Sequence, residues 1–145
     1  MAYTVKPADA GIILRDFIQL PYTLYKNNPF WIAPLRREEK KAYSSRTNPY
    51  LKRCTYQHFT AYDGSQPVGR ISAFIDNLAN SVWDKPVGLF GSYECITDNS
   101  CARRLLDTAV DWVRRQGYET IQGPLLFQSQ EWGFLARGYD ISPMI

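Results

Sequence analysis

The segment 102–117 constrains this chain more than any other. Ala102, Leu105, Leu106, Ala109, Val110 and Val113 recur at the spacing of one face of an α-helix. Arg103, Arg104, Asp107, Asp111 and Arg115 cover much of the remainder, and Gly117 supplies a C-terminal stop. A helix with one apolar stripe must bury it against another layer. Strand-like segments lie on either side of it, at 87–96 and at 119–122. Two strands joined through a helical crossover run parallel in one sheet. The stripe therefore predicts a sheet covered by helices rather than a bundle or a sandwich.

The upstream segments extend that sheet. Residues 57–62 and 68–75 read as strands, and Asp63-Gly64 between them is a hairpin signal. In the second strand Gly69, Ile71, Ala73 and Ile75 share one face and Arg70, Ser72 and Phe74 the other. Residues 76–79 read as a turn. In the strand 87–96, Phe90, Ser92, Glu94 and Ile96 share a face and Tyr93 points the opposite way. Gly88 and Gly91 inside that strand mark a bulge or a close backbone approach.

Near the N-terminus, residues 3–5 make a short strand. Asp9 is placed to cap a helix carrying Ile13, Leu14, Phe17 and Ile18, which Pro21 breaks or restarts. Asn27-Asn28-Pro29 makes a turn. A charged helix follows through the run 36–41, with Pro34 in its first turn, and 44–49 is a loop. After Gly123-Pro124, residues 128–136 read as a last helix capped by Ser129. The order β-α-α-β-β-β-α-β-α predicts an α/β (α+β) mixed sheet flanked by helices, in one domain over 1–145 without repeats or low-complexity stretches.

Composition excludes several classes. The three cysteines, Cys54, Cys95 and Cys101, lack paired spacing, which argues for a reducing, cytoplasmic compartment. Cys54 and His58 stand four apart, but His58 is the only histidine and no second close pair exists, so no metal site is expected. A net charge of +3 is too modest for a dedicated nucleic-acid module. The run Arg36-Arg37-Glu38-Glu39-Lys40-Lys41 mixes signs at i,i+3 spacing and reads as a solvated helical face. No apolar run reaches the roughly 18 residues of a membrane helix, so no membrane partner is expected.

A set of short words in order carries a resemblance. They are Phe17-x-x-Leu20-Pro21-x-x-Leu24-Tyr25, Asn28-Pro29-x-Trp31-Ile32-x-Pro34-Leu35, Asn48-Pro49, Val68-Gly69-Arg70-Ile71, Phe90-Gly91-x-x-Glu94, Gly123-Pro124 and Gly138-Tyr139-Asp140-x-x-Pro143. In these the chain resembles the GNAT superfamily of acyl-CoA-dependent N-acyltransferases, and more narrowly a poorly characterised bacterial GNAT-like family. Such proteins run on past the equivalent of Ile145. The resemblance thus implies the front portion of a domain whose closing strands are missing. An uncovered sheet edge would then invite a homodimer burying part of 125–134.

The resemblance also implies a chemistry. Acyl-CoA or acetyl-CoA would be the co-substrate and a small-molecule amine the acceptor. The strand before the main helix would hold the pantetheine arm by main-chain bonds, and the loop after it would cradle the pyrophosphate. Ile96, Thr97, Asn99, Ser100, Ala102 and Arg103 are the positions so implied. Ala102 keeps the small residue of that loop, whereas Ser100 stands for a glycine and Thr97 for Arg or Gln. Asp98 is an acid able to cap the helix itself. Glu94 takes the position of the base, or else pairs with Arg70 on the neighbouring strand. Tyr139 takes that of an acid for the leaving thiolate. Glu131 is favoured by the dipole of its own helix, and Trp31 and Trp132 line a groove or pack in the core. A second reading, a non-catalytic binding or interaction domain, follows from the altered loop.

Overall fold

The computed structural model describes residues 2–84, 86–125, 136–138 and 140–142. Among these, five strands form one sheet in the order β1-β2-β3-β4-β5. The strands are β1 Thr4–Pro7, β2 Cys54–Asp63, β3 Gln66–Asp76, β4 Gly88–Cys95 and β5 Ile121–Gln122. The first four are antiparallel neighbours. The crossover helix α5, Asn99–Arg115, returns the chain so that β5 runs parallel to β4, as its stripe requires. Gly64 turns the β2–β3 hairpin at φ +59°, a conformation glycine enters without steric cost.

The sheet is covered on both faces. On one, Leu105, Ala109 and Val113 of α5 pack with Phe59, Ile71 and Ala73. On the other, Phe17 of α1 (Gly11–Leu24), Tyr43 at the end of α2 (Arg36–Ala42) and Leu51 of α3 (Pro49–Lys52) pack with Phe74 and Leu89. Glycine sets how closely α5 can lie. A Cβ on Gly69 would come within 2.6 Å of Leu105 Cδ1, and one on Gly88 would run into the Val113 side chain. Gly88→Ala should therefore cost about 1–3 kcal/mol, measured by urea denaturation. An unchanged midpoint would mean that α5 is not seated on β4 as described.

Local readings change for physical reasons. Pro21 does not break α1, which runs through it to Leu24. Asp9 does not cap α1. Ala10 holds that position, and Asp9 accepts from Gln57 Nε2 at 2.6 Å. Pro34 lies outside α2, one residue before its cap Leu35. Residues 76–79 are not a simple turn, because Asp76 accepts from the Ala79 N–H at 3.0 Å and starts α4, Asn77–Val82. In β4 the even alternation fails. Arg70 faces Glu94 while Ser72 faces Gly91, so Ser92 and Tyr93 share the span of Ile71 in a bulge, with Ser92 at φ +49°. Phe90 consequently packs on the α5 side, where Ile96, just past the end of β4, packs too, whereas Glu94 bonds Arg70 toward α1.

Residues 126–135, 139 and 143–145 lie outside the described residues. The expected last helix over 128–136, with Ser129, Glu131 and Trp132, falls there apart from Ala136. Tyr139 and most of the segment expected in a homodimer fall there too.

Candidate active site

The site begins with a buried charge. Arg70 sits on the central strand β3 with its side chain only 6% exposed, so it must be paired. Its Nε and Nη2 both donate to Glu94 Oε2, at 2.8 and 2.7 Å. Its Nη1 donates to the Phe17 carbonyl at 3.0 Å. That last bond explains Pro21. An α-helix would satisfy the Phe17 carbonyl from the N–H of residue 21, and proline has none. Arg70 supplies the missing donor from the sheet, so α1 passes through its proline unbroken. The guanidinium also lies against the rings of Phe17 and Tyr43, 5.0 and 5.5 Å from their centroids.

Further groups gather on the same side. The Tyr25 hydroxyl is pushed up to about 12, by burial first and then by the charge of Glu94, to which it is hydrogen-bonded. Glu39 of α2 is raised above the ordinary carboxylate range by burial, with Glu94 adding to the shift and Arg70 opposing it. Tyr43, one turn beyond Glu39, is buried and bonded to Ser92 Oγ at 2.8 Å, which ties α2 to the β4 bulge. Trp31 packs edge-on to Tyr22 and tilted on Tyr25, with centroids 5.6 and 5.4 Å away. Arg36 bonds Gln19 and covers the Tyr22 ring at 4.0 Å. Glu94 thus stands beside a bulge, fixed by an arginine and faced by a second carboxylate and by Tyr25 and Tyr43.

His58 belongs to the core beneath this cluster. Its Nδ1 is 2.7 Å from Ser72 Oγ, and its ring packs on Phe17, Tyr43 and Tyr56. Burial, and then the charge of Arg70, lower it to about 4 from 6.5. The unfolded chain therefore binds a proton that the folded one refuses between those values. Stability should fall as pH drops from 6.5 toward 4, and His58→Leu should flatten that stretch of a pH–stability curve. A curve unchanged by the substitution would place His58 in water. Among the described residues no group of three His, Cys, Asp or Glu side chains could hold a metal. Cys54, Cys95 and Cys101 are free thiols, and burial with Cys95 nearby pushes Cys101 up to about 12, away from nucleophilic use.

The implied cofactor end divides into two parts. Along β4, pairing with β5 stops at Leu89, and Leu125 N donates to Phe90 O at 2.9 Å. A Cβ on Gly91 would run into the Leu125 carbonyl, so the close backbone approach expected at this glycine is present. Past it, the outer edge of β4 from Ser92 to Cys95 has no strand beside it among the described residues. That edge fits an extended pantetheine arm. The helix end fits a pyrophosphate poorly. Asp98 Oδ1 accepts the N–H groups of Ser100 and Cys101 at 2.8 and 3.0 Å. These bonds, Cys101's first, hold its carboxyl below the ordinary range. Thr97, Asn99, Ser100 and Arg103 are exposed around it, while Ala102 and Ile96 are half-buried.

Glu94 and Arg70 are neighbours already in the sequence pattern, whereas Tyr25 and Glu39 enter the cluster only in the folded chain. The mixed-sign run was read as a solvated face, yet Glu39 stands four residues before Tyr43, one turn away on the same helical face.

No protein-family model matches the chain. It is 36% identical over 131 residues to protein YghO of Escherichia coli K12, covering 90% of this chain and 33% of that protein. It is 35% identical over 144 residues to the bacterial ceramide synthase of Caulobacter vibrioides, covering 98% of this chain and 38% of that protein. The chain therefore spans about a third of the length of the curated relatives it matches. Among solved structures it is similar to a predicted acetyltransferase of Clostridium acetobutylicum determined with acetyl-CoA. The TM-score is 0.57 at 12% identity, over 89% of this chain and 84% of that one. A GNAT-family acetyltransferase of Staphylococcus aureus Mu50 gives 0.54 at 17% identity, over 83% and 71%. The chain has the GNAT fold, as the sequence resemblance implied. No helix among the described residues is long and apolar enough to cross a membrane.

Proposed function

We propose that this chain transfers an acyl group from acyl-CoA to an amine, and that the amine belongs to a long-chain amino alcohol. The observation that carries the reading is Glu94. It sits next to the bulge, between the outer edge of β4, which has no strand beside it past Leu89 among the described residues, and the cluster of Tyr25, Glu39 and Tyr43. The acceptor class is suggested by the ceramide synthase relative, since a ceramide is an amide of such an alcohol. A thioester supplies the activated acyl group. Arg70 and Tyr25 orient the Glu94 carboxylate, which receives the acceptor's ammonium and takes its proton. Glu39 offers a second carboxylate to the same ammonium. The free amine then forms the new C–N bond as the C–S bond breaks, Tyr139 being the proposed donor to the leaving thiolate; the nitrogen's surplus proton restores the Tyr139 hydroxyl, and Glu94 returns its proton to solvent.

Asp98 is the one observation favouring the second reading, a binding domain without turnover. Its carboxylate occupies the amides that a pyrophosphate would use and repels the anion. Calorimetry with acetyl-CoA and palmitoyl-CoA tests this directly. Weak, saturable binding is expected, and Asp98→Gly should tighten it while costing only a few tenths of a kcal/mol in stability, because glycine caps helices tolerably. Absence of binding by both proteins would remove acyl-CoA from the account. Tight binding by the unaltered chain would show that the helix end does not govern affinity.

A further inference from the structure

The folded chain sorts the charged run of α2 by sign. Glu39 turns inward to the Arg70 cluster, and Glu38 pairs with Lys41 at 3.1 Å. Arg37, Lys40 and Arg46 have no acidic partner among the described residues. With Lys41, Ser44 and Thr47 they line an open cleft of about 480 Å³. Cations gather at helix C-termini to meet unpaired carbonyls. Here that explanation is weakened. Thr47 Oγ1 already donates to the Lys41 carbonyl at 2.7 Å, and Asn48 Nδ2 to that of Ala42 at 2.8 Å. The cleft is thus a cationic surface set on a folded-back loop, with its charges turned to solvent. Just before the same short helix, Leu35 is 74% and Ile32 55% exposed. The seven residues of α2 span about 10 Å, so Leu35, the residue before the helix, stands at the other end of this short element from Lys40 and Lys41.

We propose that this α2 surface docks on an anionic lipid bilayer, with Leu35 and Ile32 entering the interface and Arg37, Lys40, Lys41 and Arg46 meeting headgroup phosphates. The pairing of exposed apolar side chains with unpaired cations is the chemistry of peripheral membrane binding. The inference rests on surface charge and exposure and is independent of the acyl-transfer reading.

Vesicle co-sedimentation tests it. The protein should bind mixed phosphatidylglycerol–phosphatidylcholine vesicles and not pure phosphatidylcholine. Each cation at such a surface is worth roughly five-fold in partitioning, so Arg37→Gln with Lys40→Gln should reduce binding by roughly 25-fold. Leu35→Ser should reduce it as well, with circular dichroism showing all variants folded. Inorganic phosphate at matched ionic strength should not displace the protein. Equal binding to neutral vesicles, no binding to anionic ones, or displacement by phosphate would each overturn the proposal.

Discussion

Arg70→Ala should lower the stability of the fold by about 3 kcal/mol in urea denaturation. The substitution leaves the Glu94 carboxylate without its fork and the Phe17 carbonyl without a donor, because Pro21 cannot supply one. It also removes the guanidinium that lies against the Phe17 and Tyr43 rings. The figure is taken at the low end for a broken buried pair because Glu94 remains 24% exposed and water can screen it. Arg70→Lys should recover only part of the loss, since an ammonium cannot make the same fork to Glu94 and reach Phe17 together. A loss below about 1 kcal/mol would class the pair with ordinary surface ion pairs and undo the account of α1.

Glu94→Gln should reduce turnover by about 10²–10⁴-fold while the protein stays folded. Glutamine keeps an acceptor oxygen for Arg70 and loses the ability to take a proton. Steady-state kinetics and a thermal melt on the same preparation separate the two roles left open by the sequence. A fall in melting temperature with turnover per folded molecule intact would leave Glu94 a structural partner of Arg70. A fall in turnover with the melt intact would make it the base. Because Glu39 is raised by burial, the acid side of the rate–pH profile should lie above the ordinary carboxylate range and move down in Glu39→Gln.

The fold was legible wherever a local pattern meets a local force. The stripe from Ala102 to Val113 required a sheet beneath it, and the Asp63-Gly64 signal required antiparallel neighbours. Asp98 was readable as a cap because its carboxylate satisfies amides two and three residues away. The failures share a cause, which is compensation from distant residues. Proline at 21 is a helix breaker by every local rule, and its missing bond is made good by Arg70, 49 positions later in the chain. The bulge at Ser92 and Tyr93 is not written in alternation, which puts Phe90 on the Glu94 face, and the end of β4 at Cys95 releases Ile96 from the strand pattern. Glu39 joins the site through the packing of α2, whose seven mostly charged residues carry no apolar periodicity, and Tyr25 lies at the C-cap of α1, past its periodic stretch.

The proposed role of Glu94 in acyl transfer to an amine is open to one direct test. The most direct measurement mixes the 145-residue protein with palmitoyl-CoA and a long-chain amino alcohol, and follows free thiol by colorimetry and amide by mass spectrometry. Thiol and amide are expected in equal amounts, each requiring both substrates, and both strongly reduced in Glu94→Gln. Thiol released without amide, or amide formed equally well by Glu94→Gln, would contradict it.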